Sequence, residues 1–482
     1  MRTKILKGAG AALAVSALLL TQSAAASTAA GPGNWSQYLL GPTHSSFQRG
    51  QTAITPANAA SIAPAWDAAL FPDSRAGAPA PTWLASPTVY KGRIFIGANT
   101  GDFYAYDLAT GARIWKTPLG FQTTHTCSGE GVVSTAAVAP DPANNRLMVY
   151  AAGGDGFLYA MSAKDGRIRW STQIVDDGES QGVNAGMVWS SPLLIDGKLY
   201  IGFSSNCDNP LVRGGLSEVD QSTGAILATY YPVPDGSIGG GIWSSAATES
   251  GNSVFVTTGN GDPDDPNNQG DSVSIVRLNG TTLARTDIWT VPPPQLVQDS
   301  DFGGSPTLFT ATIDGTPTKM VGACNKNSIY YAWNRNDLAA GPVWQDQIGT
   351  PHSPGGQSGL CLSAAAWDGT HLFESGPQTM IDDVTYRGSI REIDPATGSY
   401  LWETGLSGGI LTSPALDGAG VLAVGSWDFV NPNEVWLLDA SNGEVLTQID
   451  LGTSQLFSQP VFAGNYLLVA SRSAGLMAYA TP

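Results

Sequence analysis

Residues 298–306 read Gln-Asp-Ser-Asp-Phe-Gly-Gly-Ser-Pro, which sets Asp299 and Asp301 just ahead of a Ser-Pro dipeptide. Other Ser-Pro dipeptides follow apolar or neutral residues, as in TWLASPTV and GILTSPAL. A carboxylate in such a place can take a proton as a general base. It can also ligate a hard cation such as Ca²⁺, which gathers carboxylate, amide and carbonyl oxygens. Matching groups occur in three other stretches. Asp208 and Asn209 lie in SSNCDNPLVRGG (204–215), Asn260 in GNGDPDDPNNQGD (259–271) and Lys326 in ACNKNS (323–328). Taken alone, the acidic stretch 259–271 reads equally well as a solvated loop. These groups act together only if the fold gathers them.

The elements that would gather them are repeats. Residues 86–115, SPTVYKGRIFIGANTGDFYAYDLATGARIW, read as four strands, the last pair joined by an Asp-x-x-Thr-Gly turn. Further copies start at Ser134, Ser191, Ser245, Ser305, Ser363, Ser413 and Ser458, at spacings of 48, 57, 54, 60, 58, 50 and 45 residues. A four-strand unit recurring about every fifty residues is the signature of a β-propeller. The eighth copy stops at LMAYATP, one strand short. The stretch IAPAWDAAL (62–70) is expected to supply that strand, its Trp66 matching the fourth-strand tryptophans Trp115, Trp170, Trp344 and Trp402. Pairing the two ends would close the ring and remove an exposed sheet edge. The reading is an all-β, eight-bladed propeller of four-stranded antiparallel blades, forming one domain over 27–482. The repeated tryptophans are expected to pack between blades and the turn residues to serve the backbone.

In such a ring, the connection between strands two and three shares a face with the crossover from strand four to the next blade. Departures from the repeat concentrate on that face in three adjacent blades. Asp208 or Asn209, Asn260, Asp301 and Lys326 are therefore expected to converge.

Composition limits the alternatives. The chain of 482 residues has 58 Gly and 31 Pro but only 13% charged residues, which favours turns over long helices. Residues 1–26 carry Arg2, Lys4 and Lys7, an apolar run and Ala24-Ala25-Ala26, the pattern of a signal peptide cleaved near Ala26 and hence of a secreted protein. Removing those three cations from 23 leaves 20 against 40 acidic residues, a charge near −20 that disfavours nucleic acid and anionic membranes. No other segment is apolar enough to span a bilayer. In an exported chain the four cysteines are free to pair. Cys324 and Cys361 fall in neighbouring loops of the gathering face and are expected to bond, leaving Cys127 with Cys207. No Cys-x-x-Cys-His haem motif appears. The four histidines (44, 125, 352 and 371) have no ligand spacing and read as structural.

The stretch GGGIWSSAATESGNSVFVTTGN (239–260), with DSDFGGSP, CNKNSIYYAWNR and the N-terminal NWSQYLLGPTHSSF, resembles the eight-bladed quinoprotein alcohol dehydrogenases. Within them, the polyvinyl-alcohol-dehydrogenase-like branch is the nearer likeness, over nearly all of 27–482. The resemblance implies a cofactor, pyrroloquinoline quinone (PQQ), and Ca²⁺. It implies that Trp243 forms the floor under the quinone, that Asn260 ligates the metal and that Asp301 is the catalytic base and a metal ligand. Lys326 and Arg213 would touch the quinone. The family's glutamate ligand, which precedes Val-Arg-Gly, is absent here, and only Asp208 and Asn209 precede Val212-Arg213-Gly214. The family's adjacent cysteines are replaced by Cys127-Ser128. The implied activity is oxidation of a primary, secondary or polymeric alcohol, with electrons leaving to an external acceptor such as a separate cytochrome or quinone. The competing readings are a non-catalytic secreted propeller acting as a binding or scaffold protein, and a different reaction in the same pocket, on polysaccharide or peptide.

Overall fold

The computed structural model describes residues 1, 33–68, 82–122, 130–176, 186–352 and 359–482. Eight antiparallel sheets follow one another around a ring, with strands at 88–118, 137–173, 193–230, 253–290, 307–347, 366–406, 415–452 and 461–480, here blades one to eight. Blades one to seven run in sequence order from inner to outer strand, and blade eight takes its outer strand from earlier in the chain. Blade four departs from the rule: its first strand is reduced to one bridge, Ala247 to Phe255. Ala63–Asp67 pairs antiparallel with Gly475–Ala480, Trp66 opposite Ala478, and so completes blade eight as expected. The expected signal peptide and the final two residues of 62–70 lie outside the described residues.

The core is a set of layers between sheets. Tyr150, Leu158 and Ala160 of blade two pack on Leu199, Ile201 and Val219 of blade three, and the same interleaving recurs around the ring. The expected tryptophans act here. Trp115 donates its Nε1–H to the Ala163 carbonyl of the next blade at 3.1 Å, and its ring lies against Gly166. Gly166 has φ +71°, and a β-carbon there would sit 2.6 Å from the indole, so both the turn and the packing demand glycine. Trp66, Trp170, Trp344 and Trp402 repeat the bond at 2.9–3.2 Å, Trp66 fastening blade eight to blade one.

Two devices at the channel were not legible as such. A ring of hydroxyls ties neighbouring blades: the Ser86, Ser191, Thr135, Ser245, Ser305 and Ser413 side chains each accept a backbone N–H from an adjoining blade. The residue matching Ser86 in blade two is Thr135, one position after the expected Ser134. Beneath that ring runs the N-terminal segment. Trp35 pairs with Val89 of blade one, Ser36 accepts from Val138, and the Gln37 amide brackets Leu194. The carbonyls of Pro42, Thr43, Ser45 and Ser46 then accept from Thr248, Leu308, Trp367 and Leu416 of blades four to seven. One strand of chain thus visits the blades in order before entering blade eight at Ala63. Tyr38 projects from it, half-buried, with its hydroxyl turned toward Ser413 and Ser305. His44 is buried beside it, its Nδ1 on the Pro306 carbonyl at 2.7 Å; burial lowers its pKa to about 4, so it is a neutral structural histidine.

Candidate functional site

The opposite face carries the site. Asp208 and Asn209 are exposed on the connection between Lys198–Ser205 and Gly215–Asp220 of blade three. Asn260 follows Ser253–Thr257 of blade four, and Lys326 follows Thr316–Cys324 of blade five. Trp243 lies in the crossover from blade three to four, and Asp299 and Asp301 in the crossover from four to five. These are the connections expected to share a face, and contacts join their side chains.

Asp301 is at the centre. It is 3% exposed, its Oδ2 accepts the Trp243 Nε1–H at 2.7 Å, and its Oδ1 lies 2.5 Å from the Lys326 ammonium. That ion pair is poorly aligned as a hydrogen bond, and Oδ1 has no well-directed donor. Burial pushes the Asp301 pKa up to about 6, against the pull of Lys326. Lys326 is 9% exposed; burial alone would lower its pKa, but Asp301 and Asp299 together hold it above the usual lysine value. Its ammonium also stands 5.1 Å from the centre of the Trp243 ring, within cation–π range. Trp243 itself is half-buried, its plane set by the bond to Asp301.

Asp299 also belongs to the cluster. Its oxygens lie 2.9 and 3.0 Å from the Lys326 ammonium, and it accepts the Asn260 amide at 2.7 Å. Although partial burial works against it, Lys326 and Asn260 hold its pKa below the usual range. The residue has φ +57°, a left-handed conformation that aspartate tolerates better than most side chains. Asp-Ser-Asp was the available signal, since a strand would point both carboxylates the same way, but the turn gives each its own partners. Asn260 also reaches Asp208 at 3.4 Å. Arg213 is not brought into the cluster. Its guanidinium pairs with Asp235 at 2.6 Å, donates to the Val233 carbonyl and stacks on Tyr231, so its fork is satisfied on blade three.

Cys324 and Cys361 are bonded as expected, with Cα atoms 5.8 Å apart, which anchors the strand leading to Lys326. The expected partner of Cys207, Cys127, lies outside the described residues. Beside the disulfide, Glu374 is buried and bonded to the Ser363 hydroxyl, and burial raises its pKa to about 8.

A separate cavity of about 60 Å³ lies on the channel axis, lined by Trp243, Trp189, the hydroxyl ring and Tyr38. It has room for a few waters. Of the cluster, only Trp243 lines it, so this cavity is not where the charged chemistry sits.

A family model described as outer membrane protein assembly factor BamB, PQQ_2, matches residues 48–296 and 386–481. The chain belongs to the PQQ_2 family. The stretch of this PQQ_2 propeller left unmatched, 297–385, carries Asp299, Asp301, Lys326 and both cysteines of the disulfide. Family membership therefore supports the ring more directly than the site. Outer membrane protein assembly factor BamB of Shewanella oneidensis is 24% identical over 402 residues, 82% of this chain and 84% of that one. Polyvinylalcohol dehydrogenase of Sphingopyxis sp. (strain 113P3) is 24% identical over 364 residues, 65% of this chain and about half, 52%, of that enzyme. Among solved structures, a europium-containing methanol dehydrogenase superposes with a TM-score of 0.70 at 16% identity, covering 91% of this chain and 89% of that one. That likeness is one of fold.

Proposed function

We propose that this PQQ_2 propeller is an exported dehydrogenase that uses PQQ and Ca²⁺ to oxidise a primary, secondary or polymeric alcohol and passes electrons to an external acceptor. The observation that carries this reading is the Asp301 carboxylate, buried between the Trp243 indole and the Lys326 ammonium with one oxygen lacking a well-directed donor. A buried base poised against one cation, beside a half-buried aromatic face, suits proton abstraction from an alcohol held against that face. When bound, the quinone would supply the hydride acceptor and Ca²⁺ the Lewis acidity. Trp243 offers a flat surface whose tilt is fixed by Asp301. Asp301 Oδ1 takes the hydroxyl proton, and Lys326 offsets negative charge developing nearby. Oxygens of Asp208, Asn260 and Asp299 suit a hard cation, so the residues present fit the group although the family's glutamate is missing. The leader at 1–26, the single domain over 27–482 and a separate cytochrome or quinone as acceptor belong to this proposal.

A non-catalytic propeller is the second reading, favoured by the match to an assembly factor over 82% of the chain. Purified protein supplied with PQQ and Ca²⁺ separates the two in an artificial-dye reduction assay across primary, secondary and polymeric alcohols. Alcohol-dependent reduction supports the dehydrogenase; quinone-free, inert protein supports the scaffold.

A further inference from the structure

We infer that Asp299, with Asp208 and the amide oxygen of Asn260, forms the seat of the divalent cation, and that Asp301 stands outside it. This rests on the dehydrogenase reading and specifies how this chain replaces the carboxylate its blade-three loop lacks.

The Asn260 amide nitrogen lies 2.7 Å from Asp299 Oδ1 and 3.4 Å from Asp208 Oδ2. Two carboxylates from separate connections, the blade-three loop and the crossover from blade four to five, converge on one atom. That atom is neutral. Two anions drawn to one point repel unless positive charge lies between them; the ammonium of Lys326 bonds both oxygens of Asp299 and pairs with Asp301, but among the described residues no contact joins it to Asp208. An amide has nearly the same shape with its oxygen and nitrogen exchanged. Without a cation, the NH₂ group must face the carboxylates, because the amide oxygen there would add a third repelling acceptor. Turning the amide about its terminal bond brings Oδ1 to that point and converts a donor bridge into three oxygens facing a common centre. These are the hard donors that Ca²⁺ prefers, with backbone carbonyls or water completing its shell.

Asp301 differs in its commitments. One oxygen holds the Trp243 indole and the other faces Lys326, both deep in the protein. Turning it toward the cation would release the indole and leave a buried ammonium with fewer partners, a costly exchange. The two aspartates thus divide the work: Asp299 for the metal, Asp301 for the proton.

Calcium chloride is titrated calorimetrically into the full chain, stripped of metal and free of quinone. Asp299→Asn and Asp208→Asn are each expected to weaken Ca²⁺ binding by roughly 100-fold, since ligand charge count tunes affinity at such sites. Asp301→Asn is expected to stay within about threefold of wild type, because it leaves that ligand set intact. Asparagine accepts the left-handed backbone of position 299, so its substitution adds no strain there. Asp299→Glu, which restores the charge, is expected to recover most of the affinity, and thermal unfolding confirms that each variant is folded. Wild-type affinity in Asp299→Asn, an equal loss in Asp301→Asn, or no Ca²⁺ binding by wild type overturns the assignment. Titrating PQQ into the same samples separates the two levels. Quinone bound by wild type with unchanged Ca²⁺ affinity in Asp299→Asn sinks only the ligand assignment, whereas wild type that binds no quinone sinks the dehydrogenase reading itself.

Discussion

Blades one and four occupy equivalent places in the ring and are built differently. Blade one has four strands, a short connection between Arg93–Gly97 and Asp102–Asp107, and a tryptophan that locks onto the next blade. Blade four has three strands and a bridge, and a long connection bearing Asn260. Among the described residues no tryptophan lock fastens blade three to four or blade four to five, and the outer strand of blade seven, Val445–Gly452, also lacks a tryptophan. Between three and four, the Tyr200 hydroxyl and Lys198 bond the Gly280 carbonyl instead. Between four and five, Asp287 accepts the Leu338 and Ala339 N–H groups, while Trp289 packs on Tyr331 and Trp333. The charged cluster straddles these two junctions. Where the repeat is kept, side chains serve the ring; where it lapses, they are available for a site.

The sharpest way to break this contrast is to mutate one residue on each side of it. Asp301→Asn is expected to lower dye-reduction turnover per folded molecule by about 10²–10⁴-fold, the worth of a general base. Trp115→Ala should do the reverse. Loss of a buried indole costs about 3–5 kcal/mol, seen as a lower denaturation midpoint, while quinone affinity per folded molecule holds. Cys361→Ser opens a loop with a sequence separation of 37 residues. It is expected to cost about 2–4 kcal/mol and, because that loop anchors Lys326, to weaken quinone binding as well.

A smaller effect comes from Glu374. Its folded pKa, about 8, lies above the ordinary 4.5, so the native state keeps a proton that the unfolded chain releases. Its stabilising contribution is present in full below pH 4.5 and is lost as pH rises toward 8. Glu374→Gln should therefore raise the melting temperature relative to wild type at pH 8 and much less at pH 5. Equal shifts at both pH values would show that the carboxyl does not hold its proton.

The ring was legible because its causes repeat. Asp-x-x-Thr-Gly turns and fourth-strand tryptophans recur where the chain must turn and where sheets must lock, and Trp66 in 62–70 disclosed the closing strand. The faces of the connections followed from topology, which is why Asn260, Asp301 and Lys326 were found together. What escaped depends on single backbone choices. The left-handed turn at Asp299 sends its carboxylate to Lys326 and Asn260, and nothing in Asp-Ser-Asp announces that geometry. Arg213 keeps the right neighbours in sequence, but Asp235 and Tyr231 claim its guanidinium locally. The N-terminal segment has no periodicity because each of its residues meets a different blade, so its path beneath the ring and the placement of Tyr38 left no pattern to read.

The central claim is that the lapsed half of the ring holds a quinone against Trp243, and a direct measurement is an absorbance titration of PQQ into Ca²⁺-supplied wild type and Trp243→Ala. One quinone per chain in wild type, with binding weakened at least tenfold in Trp243→Ala, roughly the loss expected when a stacking surface goes, is the predicted result. Saturable binding that ignores the substitution, or no binding by wild type, would contradict it.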